Sequence, residues 1–104
     1  MNKTYSLFLF LLCTSFYAQT RLLSWNIANF GQSKSNSEIH FIANTVKDYD
    51  IVAIQEVVAG YGGAQVVATL ADELNRKGSK WDYAISDPTS SSAYKTERYA
   101  YLWK

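Results

Sequence analysis

Three polar residues stand where predicted strands begin or end, and their types suit a metal site. Asn26 closes one short apolar run, Glu56 closes a second, and Glu97 precedes a stretch in which aromatic and apolar residues alternate. Ligand sites in open α/β sheets gather at the carboxyl ends of parallel strands, so we expect Asn26 and Glu56 to lie close together. A hard cation such as Mg²⁺ takes carboxylate and carbonyl oxygens and is often held by one or two carboxylates plus water. Glu56 is therefore a candidate ligand.

Each of these residues also has an ordinary structural explanation. A Glu at the end of an apolar strand commonly just meets water, and an Asn before a glycine-containing loop commonly serves the turn. Glu97 could pair with Lys95 or Arg98, although surface pairs of this kind contribute little. His40, the single histidine, lies beside the apolar face of a predicted helix, where we expect a structural or surface role. Taken one at a time, these positions do not define a site.

The elements that would position these residues alternate along the chain. Apolar patterns predict strands at residues 21–26, 50–57, 81–86 and 98–103, and helices at about 35–48 and 64–77. Ser35 and Glu38 form a capping box at the first helix, Gly78 stands where the C-terminal cap of the second belongs, and residues 27–31 form an exit loop. The second strand carries apolar residues on both faces, which predicts a central strand covered on both sides. The first two strands, with a helix between them, predict a parallel pair joined by a right-handed crossover, and hence an α/β fold.

The first residues have the layout of a secretory signal peptide. Lys3 gives a positive start, residues 7–12 form a short apolar run, and Ala18 precedes a plausible cleavage point, so we assign residues 1–19 to the signal. The run is far shorter than the roughly 20 residues that cross a bilayer as a helix. We therefore expect a protein that is secreted or held in the periplasm or cell envelope, without stable membrane insertion; a buried first strand or an uncleaved anchor is the alternative. Cys13, the single cysteine, falls inside the signal, so the mature part has no disulfide.

The charge of the remaining residues, 20–104, is balanced. The sequence holds 10 Lys and Arg and 9 Asp and Glu, and removal of Lys3 with the signal leaves 9 − 9 = 0. Dedicated nucleic-acid binders usually carry a strongly basic patch. If the protein binds a polyanion, we expect a metal ion to neutralise part of the charge.

Three sequence blocks, taken together, resemble a known family. LSWNIANFG at residues 23–31, YDIVAIQEV at 49–57 and SAYKTERY at 92–99 are similar, in order and spacing, to blocks of the endonuclease/exonuclease/phosphatase superfamily, and most of all to its deoxyribonuclease I-like branch. The resemblance implies a four-layer α/β sandwich, in which two sheets pack together between outer helices. Residues 20–104 would be the N-terminal third of such a domain, so we expect this chain to be an incomplete, N-terminal fragment.

The resemblance also implies a reaction and a set of site residues. The family hydrolyses phosphodiester or phosphomonoester bonds with Mg²⁺, for which Mn²⁺ or Ca²⁺ could substitute. Glu56 resembles its metal-binding glutamate, and Asn26 resembles the asparagine that helps to hold the metal or the scissile phosphate. Glu97 resembles the acid that orients a catalytic histidine, and Tyr94 resembles a tyrosine near the substrate backbone or sugar. Together with the signal layout, this resemblance leads us to expect a secreted nuclease that acts on nucleic acid or another phosphodiester. We also expect it to be a monomer.

Several positions depart from that family pattern. Val58 and Ala28 stand where the nuclease branch commonly has arginines, which leaves a lipid or sugar phosphodiester, or a phosphomonoester, as an alternative substrate. Thr96 is an extra residue in the block that contains Tyr94. The family's base and acid histidines would lie beyond Lys104, so we expect the 104-residue chain to be inactive alone. A non-catalytic remnant of the family is the other alternative.

Overall fold

The computed structural model describes residues 19–89 and 96–104, and in these residues four strands form one sheet. The elements follow in the order β1 (Leu22–Phe30), α1 (Asn36–Val46), β2 (Ile51–Val58), α2 (Gly63–Asn75), β3 (Asp82–Ile85) and β4 (Glu97–Trp103). β1 pairs with β2 in parallel, whereas β4 lies antiparallel between β2 and β3. The predicted α/β class and the predicted parallel pair are confirmed. Most of the proposed signal, residues 1–18, and the segment 90–95 with Tyr94 lie outside the described residues.

Helix α1 begins at the capping box that the sequence predicts. The backbone N–H of Glu38 donates to Ser35 Oγ (3.2 Å), and the N–H of Ser35 donates to Glu38 Oε1 (3.1 Å). These bonds satisfy N–H groups that a helix start leaves open, and the bond from the Ser35 N–H is the main reason that the pKa of the Glu38 carboxyl lies below its usual value. The buried side of α1 then repeats at helical spacing, through Ile39, Ile42 and Val46.

Two glycines let the chain turn from β2 into α2. Gly62 has φ +98°, a left-handed conformation that favours glycine, and a Cβ there would meet a backbone nitrogen of the loop after β1 at 2.6 Å. A Cβ on Gly63 would overlap the carbonyl oxygen of Val58. The loops that follow β1 and β2 are therefore packed directly against each other. Helix α2 ends earlier than predicted: its C-cap is Arg76, and Gly78 (φ +110°) lies in the turn that follows.

Both helices pack on the same face of the sheet. One apolar cluster joins their buried side chains to the fully buried strand residues Val52, Ile54, Ala100 and Leu102. The opposite face is open, and four of its large side chains are 37–65% exposed: Leu22, Ile51, Tyr101 and Trp103. The expectation that β2 is covered on both sides therefore does not hold in the described residues, because α1 and α2 lie on one side of it. Within that part of the chain, both helices also fall short of the length and apolarity of a membrane-crossing helix.

Strand β1 runs further than the sequence predicts. The predicted exit loop continues the strand, because Ile27 and Phe30 are buried and Phe30 pairs again with Val57 of β2. β4 likewise begins one residue before its predicted start, and β3 is two residues shorter than predicted. Asn26 and Glu56 therefore lie inside strands rather than at their ends.

Candidate functional site

Asn26, Glu56 and Glu97 meet at one end of the sheet, called the rim below. β1 and β2 run toward this end, and β4 starts from it. Asn26 is the registered partner of Gln55, so it lies beside the residue that precedes Glu56, and adjacent strands are roughly 4.8 Å apart. Glu97 is the partner of Val58, two residues beyond Glu56 on the same strand. The structure therefore brings together, on three neighbouring strands, the three residues that the sequence predicts to share a site.

Strand β2 carries a β-bulge at this level. Gln55 and Glu56 together oppose one residue of β4, because the register between the two strands shifts there. Ile54 and Val57, on either side of this pair, are both fully buried under the helices. The bulge therefore turns Gln55 and Glu56 toward the open face of the sheet. On that face the Nε2 of Gln55 donates to Ser24 Oγ of β1 (3.0 Å).

The backbone at Glu56 has an unusual conformation. Its φ is +63°, and that of Asn29 in β1 is +53°. For an L-residue the left-handed region costs roughly 1–2 kcal/mol, and Asn tolerates it better than Glu because its short polar side chain bonds locally. Backbone outliers of this kind cluster at functional sites, where the surrounding structure holds them. The outlier at Glu56 therefore points to a functional role on grounds that are independent of sequence similarity.

The side chains of the three rim residues are at least partly exposed to solvent. No described residue forms a hydrogen bond or ion pair with the carboxylate of Glu56 or Glu97, or with the amide of Asn26. The backbone of Glu97, by contrast, is fixed: its N–H donates to Thr89 Oγ1 (3.1 Å) and its carbonyl accepts from the Thr89 N–H (2.8 Å). Half-exposed carboxylates beside an amide oxygen, with room for water, fit a hard cation such as Mg²⁺. Within residues 19–89 and 96–104, no group of three or more His, Cys, Asp or Glu side chains is arranged to hold a metal ion.

The other residues considered from the sequence lie elsewhere or make other contacts. His40 is on the exposed side of α1, where its Nδ1 is 2.8 Å from Glu73 Oε1 of α2, so it links the two helices as a structural residue would. Arg98 does not pair with Glu97; its guanidinium donates to two backbone carbonyls instead. Tyr94 lies outside the described residues.

Sequence reasoning missed two residues that shape the rim. Gln55 bonds across to β1, and Arg98, which the sequence suggests only as an ion-pair partner of Glu97, bonds instead to two backbone carbonyls. Two consecutive polar residues inside an otherwise apolar strand, as at Gln55 and Glu56, are a sequence signal for a bulge of this kind. A cavity of about 170 Å³ lies on the helix side, between the loops after β1 and β2, and the three rim residues do not line it. The candidate site is thus an open edge of the sheet.

Several named proteins are similar in sequence to this chain, although no protein-family model matches it. It is 37% identical over 87 residues to deoxyribonuclease-1 of Bos taurus, which covers 81% of this chain and 30% of the relative. It is 33% identical over 98 residues to a deoxyribonuclease of Thioalkalivibrio sp. (strain K90mix), covering 94% and 26%. It is 30% identical over 104 residues to deoxyribonuclease gamma of Rattus norvegicus, covering 95% and 33%. The chain thus spans about a third or less of the length of these relatives. With this similarity over most of its length, the chain belongs to the deoxyribonuclease I-like nuclease family.

Proposed function

We propose that the protein carrying this chain is a metal-dependent nuclease that hydrolyses phosphodiester bonds of DNA. The observation that carries the proposal is the bulge at Glu56, where a strained backbone holds a carboxylate without a partner among the described residues. Asn26 on the adjacent strand and Glu97 on the other side complete a polar edge. The names of the relatives, all deoxyribonucleases, support DNA as the substrate.

In this proposal the carboxylate of Glu56 and the amide oxygen of Asn26 hold the metal, with Mg²⁺ first and Mn²⁺ or Ca²⁺ as alternatives. Both side chains present hard oxygen donors, and both are exposed enough for water to fill the remaining positions. A divalent ion bound there would act as a Lewis acid toward phosphate oxygens. The ion would also supply the positive charge that the balanced composition of the chain lacks.

Glu97 has a different role in the proposal. A carboxylate fixed through its backbone can accept a hydrogen bond from a histidine ring N–H and so orient that ring. His40 cannot be this histidine, because it is bonded to Glu73 on the helix side of the sheet. Activation of water needs a base within hydrogen-bond reach. We therefore propose that the base comes from elsewhere in the protein, and that the 104-residue chain does not hydrolyse DNA by itself.

The open face of the sheet supports the four-layer α/β sandwich that the family resemblance implies. Leu22, Ile51, Tyr101 and Trp103 form an exposed, largely apolar surface, and aligned sheets pack face to face through surfaces of this kind. We propose that a second sheet covers it in a four-layer sandwich. We also propose that residues 1–19 are removed on export and that the protein is a monomer.

Binding of Mn²⁺ to the 104-residue chain tests the metal site directly. Electron paramagnetic resonance of free Mn²⁺ gives the affinity of the wild type, of Glu56→Gln and of Asn26→Ala. Asp72→Asn on the exposed side of α2 is the matched control, because it removes the same charge away from the rim. We expect Glu56→Gln to weaken binding by roughly tenfold or more, about 1.4 kcal/mol, and Asp72→Asn to leave it unchanged. Equal affinity in these two variants would contradict the proposed site.

Plasmid cleavage tests the reaction. The whole protein should relax supercoiled DNA with Mg²⁺ and lose this activity in Glu56→Gln, whereas the 104-residue chain should cleave no faster than its own Glu56→Ala variant. Ala28 and Val58 lie at the rim and contribute no cation, which favours a lipid or sugar phosphodiester as the second candidate substrate. Parallel assays of the whole protein with RNA, sphingomyelin and inositol phosphates separate the two candidates.

A further inference from the structure

The side chain of Arg98 joins the ends of three strands at the rim. Its Nε–H donates to the carbonyl oxygen of Ala59 (3.3 Å), the residue directly after β2. Its Nη1–H donates to the carbonyl oxygen of Ser86 (3.2 Å), the residue directly after β3. Arg98 itself belongs to β4 and follows Glu97. One guanidinium therefore links the exit of the strand that carries Glu56 to the start of the strand that carries Glu97.

Both contacts of Arg98 are hydrogen bonds to backbone carbonyls and not ion pairs. Arg98 is partly buried, and no carboxylate of the described residues forms an ion pair with it, so its charge faces two carbonyl dipoles. A guanidinium holds its N–H donors in a fixed plane, and two bonds to different loops therefore define the distance between those loops. A lysine would carry the same charge but could not reproduce the fork.

The bulge gives such a link a specific task. Beyond the bulge at Glu56, β2 and β4 resume pairing only at Val57 with Arg98 and at Val58 with Glu97. Two paired positions do little to fix the register of a strand end that follows an unpaired extra residue. A slip by one residue would turn Glu56 to the other face of the sheet. The bonds from Arg98 to both strand exits oppose that slip.

We propose that Arg98 is a positioning residue, which holds the bulged end of β2 against β4 and so keeps the carboxylate of Glu56 at the rim, where it would bind the metal. The metal part of this proposal rests on the proposed function, and the strand-fixing part does not. Mutation of a group that positions a metal ligand typically lowers the metal affinity by 10- to 100-fold. Arg98→Lys should therefore weaken Mn²⁺ binding by roughly tenfold or more, although the charge is unchanged.

A second variant, Arg98→Met, separates positioning from electrostatics. A cation near the rim repels Mn²⁺, so if charge alone mattered, its removal would tighten binding. Positioning gives the opposite sign: Arg98→Met and Arg98→Lys both weaken binding by roughly tenfold or more. Arg76→Lys is the control, because its guanidinium pairs with Glu73 on α2, and it should leave the affinity unchanged. Unchanged or tighter Mn²⁺ binding in either Arg98 variant overturns the proposal.

Amide hydrogen exchange without metal gives a measurement that does not depend on the metal site. In Arg98→Lys, exchange at the bonded amides of Thr89 and Glu97 should accelerate by roughly tenfold or more, while amides around Val52 and Leu102 at the sheet centre keep their rates. If the wild type binds no Mn²⁺, the proposed metal function fails and exchange alone decides. Acceleration confined to the rim then supports Arg98 as the residue that fixes the strand ends. Unchanged rates, or a uniform rise across the sheet, overturn it.

Discussion

The left-handed backbone at Glu56 predicts that a glycine there is more stable than an alanine, the reverse of the order in an ordinary strand. Glu56→Gly and Glu56→Ala remove the same carboxylate, so a difference between them reports the backbone conformation, with φ at +63°. In an ordinary strand, Gly is less stable than Ala by roughly 0.5–1 kcal/mol, because it loses more conformational freedom on folding. At a left-handed position, Ala carries a steric cost of roughly 1–2 kcal/mol that Gly avoids. The two effects oppose each other, and the steric one is larger.

The size of the expected difference follows by subtraction. We expect the Gly variant to be more stable than the Ala variant by about 0.75 kcal/mol, the difference between the midpoints of the two ranges. For a chain of about this size, that corresponds to a difference in Tm of roughly 3–6 °C. Ala53 of the same strand has no such positive φ, so Ala53→Gly should lower the Tm and serves as the control.

Urea unfolding and thermal melting of the 104-residue chain, followed by circular dichroism, measure both comparisons. Mn²⁺ binding should be lost to the same extent in the two Glu56 variants, since neither has the carboxylate. An Ala variant that is as stable as the Gly variant, or more stable, would show that residue 56 is not held in the left-handed region. The backbone at Glu56 would then give no support to a functional bulge, and only the sequence similarity would support Glu56 as a metal ligand.

Two further predictions concern the loops and the helices. Gly63→Ala should lower the free energy of unfolding in urea by roughly 1–3 kcal/mol, because its Cβ would overlap the Val58 carbonyl. Gly60→Ala is the control, because its Cβ would meet nothing within 4 Å, and it should change that free energy by less than about 0.5 kcal/mol. Equal losses in the two variants would contradict the prediction. The hydrogen bond from His40 is the main reason that the pKa of Glu73 lies below its usual 4.5. Because the pKa of Glu73 is lowered in the folded state, the ionised carboxylate stabilises the fold above about pH 4.5, and this stabilisation is lost as pH falls through the folded pKa. The wild type should therefore have a higher Tm than Glu73→Gln at pH 6, and the difference should vanish in acid. Equal Tm values at pH 6 would contradict it.

The helices can be predicted from the sequence because their signals are local. Ser35 and Glu38 satisfy each other's backbone N–H groups across three residues, and the apolar stripe of α1 repeats at helical spacing. The parallel pairing of β1 and β2 follows from the helical connection between them. The position of β4 between β2 and β3 is different, because it depends on pairs such as Val52 with Leu102, which are 50 residues apart. No local pattern encodes that choice.

The rim is harder to predict because both strands lose their alternation there. In β1 two exposed residues separate buried Ile27 from Phe30, and in β2 two polar residues separate buried Ile54 from Val57. A pattern search with period two treats such interruptions as strand ends. It therefore places the site residues at the borders of strands, near the correct edge of the sheet but in the wrong local geometry.

The sequence pattern places Asn26 and Glu56 wrongly at strand ends for the same physical reason that makes this edge of the sheet a candidate site. A bulge removes regular pairing, and a glutamate at φ +63° adds steric cost, so stability alone would favour a regular strand or a glycine at residue 56. Buried Ile54 and Val57 on either side, and the bonds from Arg98 beyond, supply the surroundings that hold the conformation. Conflict between local preference and the whole fold is expected where a side chain must be aimed for function. The proposed metal site therefore depends on Glu56, whose backbone conformation is the one that local sequence rules predict least well.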